Sequence, residues 1–242
     1  MAGRCACFQL VVWNPEADEI IGGYRFTRWK MAEFHENGQP YVNTEHLFDF
    51  SQEFIDEYFP YCVEMARAFV QPKYQSALGG RKALFALDNL WDGIGGLVAT
   101  DPSVKYLSGK VTIYSSSPEL SRKAMIYYLD KRFGAREGLL TSKHPERWTD
   151  EQEEYFNDMF NGANYKEDYQ ILNNYVKSFG DVIPPLIHSY IGLSETMKTF
   201  GTTFDPDFGD CYDTAMIITI ADIYKEKYDR YINSYFSEAE KA

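Results

Sequence analysis

Tyr61–Val70 reads YCVEMARAFV, and Gln71-Pro72 follows it directly. An apolar run of this length, cut off by a proline, predicts a β-strand, because proline cannot donate to a strand ladder. Glu64 and Arg67 stand inside the run. Charges in such a strand are seldom buried without partners, so the two form a core ion pair, one of them reaches solvent at the sheet end, or they belong to a working site. Strict alternation places positions 64 and 67 on opposite faces. A β-bulge between them, expected near Ala66, would bring both toward one place and free backbone N–H groups for an oxyanion.

Downstream, a loop from Lys73 to Gly80 leads into a helix predicted over 81–97, where Leu84, Leu87, Leu90, Trp91, Ile94 and Leu97 share a face. A helix start presents unpaired N–H groups and partial positive charge. Gly79-Gly80 lets the backbone approach a ligand, and Arg81 and Lys82 add full charges. The combination suits a phosphate group. Neither GxxxxGK(S/T) nor GxGxxG after a strand is present, which lowers ATP hydrolysis and hydride transfer as candidate chemistries.

Working outward, Val104–Tyr114 predicts a strand and Pro118–Phe133 an amphipathic helix. Upstream, Ala6–Trp13 and Glu19–Phe26 flank a turn and predict a hairpin, with Gly22-Gly23 marking a bulge or a close backbone approach. His46–Phe59 predicts a helix stopped by Pro60, and further helices are expected over Glu151–Phe160, Glu167–Phe179, Leu186–Leu193 and Ala221–Phe236. Thr214–Ile220 predicts a late strand. This succession describes an α/β fold with a mixed sheet flanked by helices.

Of the 242 residues 45% are hydrophobic and 17% aromatic, enough for a packed core and too many for general disorder. No apolar run approaches the roughly 20 residues of a membrane-spanning helix. The N-terminus lacks a signal-peptide layout, so the expected location is the cytoplasm. Cys5, Cys7, Cys62 and Cys211 are scattered, and His35, His46, His144 and His188 show no metal-binding spacing. No metal is expected. The net charge of −12 disfavours nucleic acid. Yet residues 67–147 hold 13 basic and 7 acidic side chains, between flanks holding 4 basic with 11 acidic and 7 basic with 18 acidic. This basic island suits an anionic ligand.

The order of hairpin, Glu-x-x-Arg strand, phosphate loop, helix, strand and helix resembles the GNAT acyltransferase superfamily. Within it the chain looks like the bacterial N-acyl amino acid lipid synthases of the ornithine-lipid and glycine-lipid type, often labelled hemolysin-like. The matching residues are Ile20–Arg25, Glu64–Val70, Leu84–Gly93, Gly109–Thr112, Ile183–Leu186 with Tyr190, and Asp205 with Phe208. The Glu-x-x-Arg strand also resembles that of the acyl-homoserine-lactone synthases. The family loop, Gln/Arg-x-x-Gly-x-Gly/Ala, is one residue out of register here, where Gln75 precedes Ser76-Ala77-Leu78-Gly79-Gly80.

The resemblance implies a single GNAT-like domain over residues 1–242 with a splayed central strand. Residues 141–165 would form a helical connection, and 166–242 the C-terminal half with its terminal helix. The chain begins at what corresponds to the family's second strand, lacking the usual first. An acyl-phosphopantetheine donor, on acyl carrier protein or coenzyme A, would meet Phe69, Val70, Gln75, Gly79, Gly80, Arg81 and Lys82. Glu64 would serve as base, and Arg67 would orient Glu64 or the acceptor carboxylate. The implied reaction moves a (3-hydroxy)acyl group from acyl carrier protein to the amine of an amino acid in aminolipid synthesis. An acetyl-CoA-dependent small-molecule N-acetyltransferase and a non-catalytic GNAT-like binding protein stand as alternatives. The basic middle third would dock the acidic carrier protein. Peripheral membrane contact and a homodimer through the Ala6–Trp13 edge are left open.

Overall fold

The computed structural model describes residues 6–75 and 81–239, with their side chains apart from those of 81–88 and 237–239. In chain order the elements are β1 (Cys7–Asn14), β2 (Glu19–Arg28), β3 (Phe48–Phe50), α1 (Gln52–Glu57), β4 (Cys62–Val70), α2 (Arg81–Thr100) and β5 (Tyr106–Tyr114). There follow α3 (Glu119–Phe133), β6 (Leu140–Ser142), α4 (Asp150–Met159), α5 (Tyr165–Ser178), α6 (Pro185–Ile191), β7 (Lys198–Asp205) and β8 (Cys211–Thr219). The strand order is β1-β2-β4-β5-β8-β7, and β3 pairs separately with β6. The pairs β1–β2, β2–β4 and β7–β8 are antiparallel. Just before their strands begin, the Lys105 N–H donates to the Tyr61 carbonyl at 3.0 Å. β4 and β5 therefore run parallel, as a crossover through α2 requires. The sheet is mixed, as expected.

The chain divides into two compact units. The first comprises Met1–Glu33, Tyr58–Ser108 and Thr219–Ala242, and the second Phe34–Glu57 with Gly109–Ile218. In the first unit α2 lies against the hairpin, where Gly93 makes room for Leu10; a Cβ there would fall 2.7 Å from Leu10 Cδ1. Leu90, Trp91 and Ile94 of the expected apolar face are buried, together with Tyr24, Val98 and Ile232. Leu84 and Leu87 lie outside the described side chains. Burying each large apolar side chain contributes roughly 1.5–3 kcal/mol.

In the second unit Met125, Tyr128 and Leu129 of α3 are buried with Phe156 of α4 and Leu172 and Val176 of α5. Thr149 and Gln152 form a capping box that starts α4, and Asn164 caps α5. No helix among the described residues is long and apolar enough to cross a membrane.

Four elements differ from expectation, one of them the short β6, which enters the helical connection expected over 141–165. The helix expected over His46–Phe59 is a strand at Phe48–Phe50 followed by the short α1. Phe48 and Phe50 are buried while Asp49 between them is exposed, a period of two, and the strand pairs with Leu140–Ser142. β7 was not anticipated, because its threonines and Gly201 hide the apolar alternation. Its buried Thr202 hydroxyl meets that of Thr214 at 2.7 Å, and Thr203 donates to the His144 carbonyl at 3.2 Å. The terminal helix expected over Ala221–Phe236 is broken by a π-turn at Asp229–Asn233. There the Tyr231 carbonyl presses on Gly95, where a Cβ could not fit.

Candidate active site

The antiparallel ladder of β2 and β4 pairs Thr27 with Glu64, Phe26 with Met65 and Arg25 with Ala66, then resumes at Gly23 with Phe69. Two steps along β2 correspond to three along β4. One extra residue therefore sits in β4 at Arg67–Ala68, opposite Tyr24. The bulge expected near Ala66 is present one residue further on. Arg67 takes the left-handed conformation, with φ 51°. An L-residue there costs about 1–2 kcal/mol, and strain of this kind gathers at functional sites.

Gly22 and Gly23 supply the close approach their sequence suggested. A Cβ on Gly22 would lie 2.6 Å from the Phe69 carbonyl oxygen, and one on Gly23 would lie 2.7 Å from that of Leu10. The register between β1 and β2 slips beside them, since Val12 faces Gly22 but Trp13 faces Ile20.

Glu64 is enclosed, with 2% of its surface exposed. The indole N–H of Trp29 donates to its Oε2 at 3.0 Å. Trp29 is fully buried and stacks on Phe59 with ring centroids 5.1 Å apart. Nothing in the sequence around position 29 marked it; a lone tryptophan after a hairpin has no motif. Cys62, two residues before Glu64, has its thiol pushed well above the usual range, first by burial and then by the charge of Glu64. It remains a protonated, inert core residue.

Arg67, by contrast, is exposed and takes part in no hydrogen bond or ion pair among the described residues. Phe69 is exposed and Val70 half-buried. Gln75 is exposed, and its side-chain amide donates to the Val70 carbonyl at 2.9 Å. Gly79 and Gly80 lie outside the described residues. Arg81 and Lys82 occupy the first turn of α2, and their side chains lie outside the described set.

The second unit holds a polar cluster that spacing along the chain did not reveal. Thr112 Oγ1 donates to Asp213 Oδ1 at 2.6 Å, and Lys110 Nζ lies 3.6 Å from Asp213 Oδ2. His46 Nε2 lies 3.2 Å from Asp205 Oδ2, and its Nδ1 lies 2.6 Å from the Asn43 carbonyl. Cys211 completes a group with Asp205 and Asp213 whose ligand atoms all fall within 4.8 Å of one another. Two carboxylates and a thiolate would suit a transition-metal ion. Here, however, each carboxylate already faces a nitrogen donor. The Cys211 thiol is pushed up to about 12, by burial first and then by Asp213 and Asp205. The cluster fastens the Asn43–His46 turn onto β5, β7 and β8.

Comparison with known proteins agrees with the architecture. A family model described as an acetyltransferase (GNAT) domain matches residues 5–82. The chain is 45% identical over 235 residues to a glycine N(alpha)-acyltransferase of Phocaeicola vulgatus, covering 97% of this chain and 72% of that protein. It is 44% identical over 227 residues to a glycine N(alpha)-acyltransferase of Bacteroides thetaiotaomicron, covering 94% of this chain and 67% of that protein. A crystal structure of an aminoglycoside N-acetyltransferase complexed with coenzyme A covers 88% of this chain at 13% identity. Its TM-score of 0.38 marks a likeness too slight to bear on function. Identity of this order along nearly the whole chain, on a mixed sheet with this hairpin, crossover and interrupted β4, means that the chain belongs to the GNAT acyltransferase superfamily and is an N-acyltransferase.

Proposed function

We propose that this N-acyltransferase moves a 3-hydroxyacyl group from the phosphopantetheine thioester of acyl carrier protein to the amine of glycine, in aminolipid synthesis. The observation that carries the reading is the 45% and 44% identity to two proteins named glycine N(alpha)-acyltransferase. The geometry of β4 agrees with it. The bulge at Arg67–Ala68 interrupts the ladder to β2, the kind of break that can free a backbone N–H for a thioester oxygen.

In the reaction the amine nitrogen attacks the thioester carbonyl, a C–N bond forms and the C–S bond breaks. The amine's proton passes to the Glu64 carboxylate, directly or through water, and from there to the departing sulfur, which leaves as the pantetheine thiol. Trp29 holds the carboxylate while it waits. Arg67, exposed and unpaired among the described residues, is placed to meet the carboxylate of glycine rather than to orient Glu64. The phosphate of the donor meets the start of α2. Over residues 67–147 the chain holds 13 basic against 7 acidic side chains, a balance that favours an acidic carrier protein as the donor.

Incubating the protein with 3-hydroxyacyl carrier protein, long-chain acyl-CoA or acetyl-CoA, each with glycine or ornithine, and detecting products by mass tests this directly. N-acyl glycine from the carrier-protein donor is the expected product. Turnover with acetyl-CoA alone would replace the reading by that of a small-molecule N-acetyltransferase.

A further inference from the structure

The registers on either side of β2 put a second basic residue, Arg25, on the same face of the sheet as Glu64. Thr27 pairs with Glu64 and Arg25 with Ala66 of β4, while Gln9 of β1 stands across from Arg25 on its other side. Residues two apart on a strand share a face, so Arg25 and Glu64 are diagonal neighbours, roughly 7–8 Å apart. Leu10 and Tyr24, which pair with each other, belong to the opposite face, where Leu10 meets Gly93 of α2. The ground around Arg25 is low. Ala66 bears only a methyl group, and Gly23, the next residue on that face of β2, bears none. Phe69, paired with Gly23, leans its ring over the glycine, with Cε1 3.1 Å from where a Cβ would stand. A shelf results, bounded by Glu64 and Thr27 at one end and by the Phe69 ring at the other.

Arg25 is half-buried, its Nε is shut off from solvent, and its side chain makes no hydrogen bond or ion pair among the described residues. The cations that follow it in the chain are engaged, since Arg28 and Lys30 both meet Asp101, Lys30 at 3.1 Å. A shielded donor left without an acceptor is rare in a native fold and calls for a ligand. The donor's own chemistry says which kind. A guanidinium with Nε and a terminal nitrogen to spare presents two parallel N–H groups, the fork that matches a carboxylate. Glu64, on the same face, is suited to an amine. An α-amino acid carries both groups, its nitrogen and carboxyl carbon separated by two bonds of about 1.5 Å each. With a hydrogen bond of about 2.8 Å at either end, such a molecule spans the diagonal.

We propose that Arg25 is a specificity-determining residue that holds the carboxylate of the acceptor while the amine faces Glu64. The inference rests on the reading that the protein acylates the amine of glycine. A carboxylate offers two oxygens with about four lone-pair sites, so Arg25 takes one edge and leaves the other to Arg67. Arg25 thereby selects a free amino acid over an amine that lacks the negative charge.

The test compares wild type, Arg25→Gln and Arg25→Lys with glycine and with glycinamide, which keeps the amine and loses the charge. The donor is whichever of 3-hydroxyacyl carrier protein, long-chain acyl-CoA and acetyl-CoA supports turnover. In Arg25→Gln the glycine KM should rise about tenfold to a hundredfold, and the preference for glycine over glycinamide should shrink by the same factor. The donor KM should stay within about twofold. Arg25→Lys keeps the charge without the fork and should fall between wild type and Arg25→Gln; it carries the test should Arg25→Gln fold poorly. An unchanged glycine KM and preference in the folded variants overturns the proposal alone. So does an equal loss with both acceptors, the mark of a structural role. A wild type that acylates glycine from none of the donors overturns the underlying reading and the proposal with it.

Discussion

In β4, Cys62–Met65 is buried at every position, whereas beyond Ala66 exposed Arg67 and Phe69 alternate with half-buried Ala68 and Val70. The two halves have similar make-up, short apolar runs carrying one charge each. What separates them is one additional residue in the ladder and the glycine pair across from it. Before the bulge, the carboxylate is enclosed and receives the Trp29 N–H. After it, the guanidinium stands in solvent on a left-handed backbone. A single bulge thus separates an enclosed carboxylate from an exposed guanidinium within four residues.

The largest expected effect tests the enclosed half. Glu64→Gln preserves volume and the contact with Trp29 but cannot take a proton. Turnover should fall by about a hundredfold to ten-thousandfold with the melting temperature nearly unchanged. Wild-type rates in this variant would remove Glu64 from the chemistry.

Next comes the glycine pair. Gly22→Ala puts a Cβ 2.6 Å from the Phe69 carbonyl oxygen, so β2 and β4 must move apart. A loss of about 1–3 kcal/mol in urea unfolding is expected. If stability does not change, the bulge does not depend on that approach.

A smaller effect belongs to the indole. Trp29→Phe keeps a ring stacked on Phe59 and deletes the N–H to Glu64, and kcat/KM should drop about tenfold. A loss of stability without a change in kcat/KM would make the contact purely structural.

The smallest effect concerns the exposed half. Arg67→Gly relieves the left-handed backbone and should stabilise the fold by up to about 1 kcal/mol, partly offset by the freer unfolded chain. The same variant should raise the KM for glycine if the guanidinium meets its carboxylate. A destabilised variant would mean that the arginine side chain, and not the bulge, holds this part of the strand.

Much of this was legible in the chain itself. The hairpin, the interrupted strand, α2 and the crossover into β5 follow from apolar periodicity cut by Pro15, Pro72 and Gly22-Gly23. Those signals are local, and local chemistry decides them. The expectation of a bulge rests on bringing Glu64 and Arg67 to one site; the bulge is present, yet it leaves Glu64 buried and Arg67 exposed. Its place at Arg67 could not be foreseen, since that depends on which carbonyl of β4 the backbone of β2 touches.

Trp29 and the Asp205–Asp213 cluster stayed hidden for a related reason. Their partners lie 35 residues away for Trp29 and Glu64, and 159 for His46 and Asp205. No window along the chain contains both members of either pair. The sequence alone thus determined the order of elements and the presence of a charged, broken strand, because backbone preference and burial period are written residue by residue. Only the tertiary structure decided which charge is enclosed and which is open, because burial is a property of what packs from elsewhere.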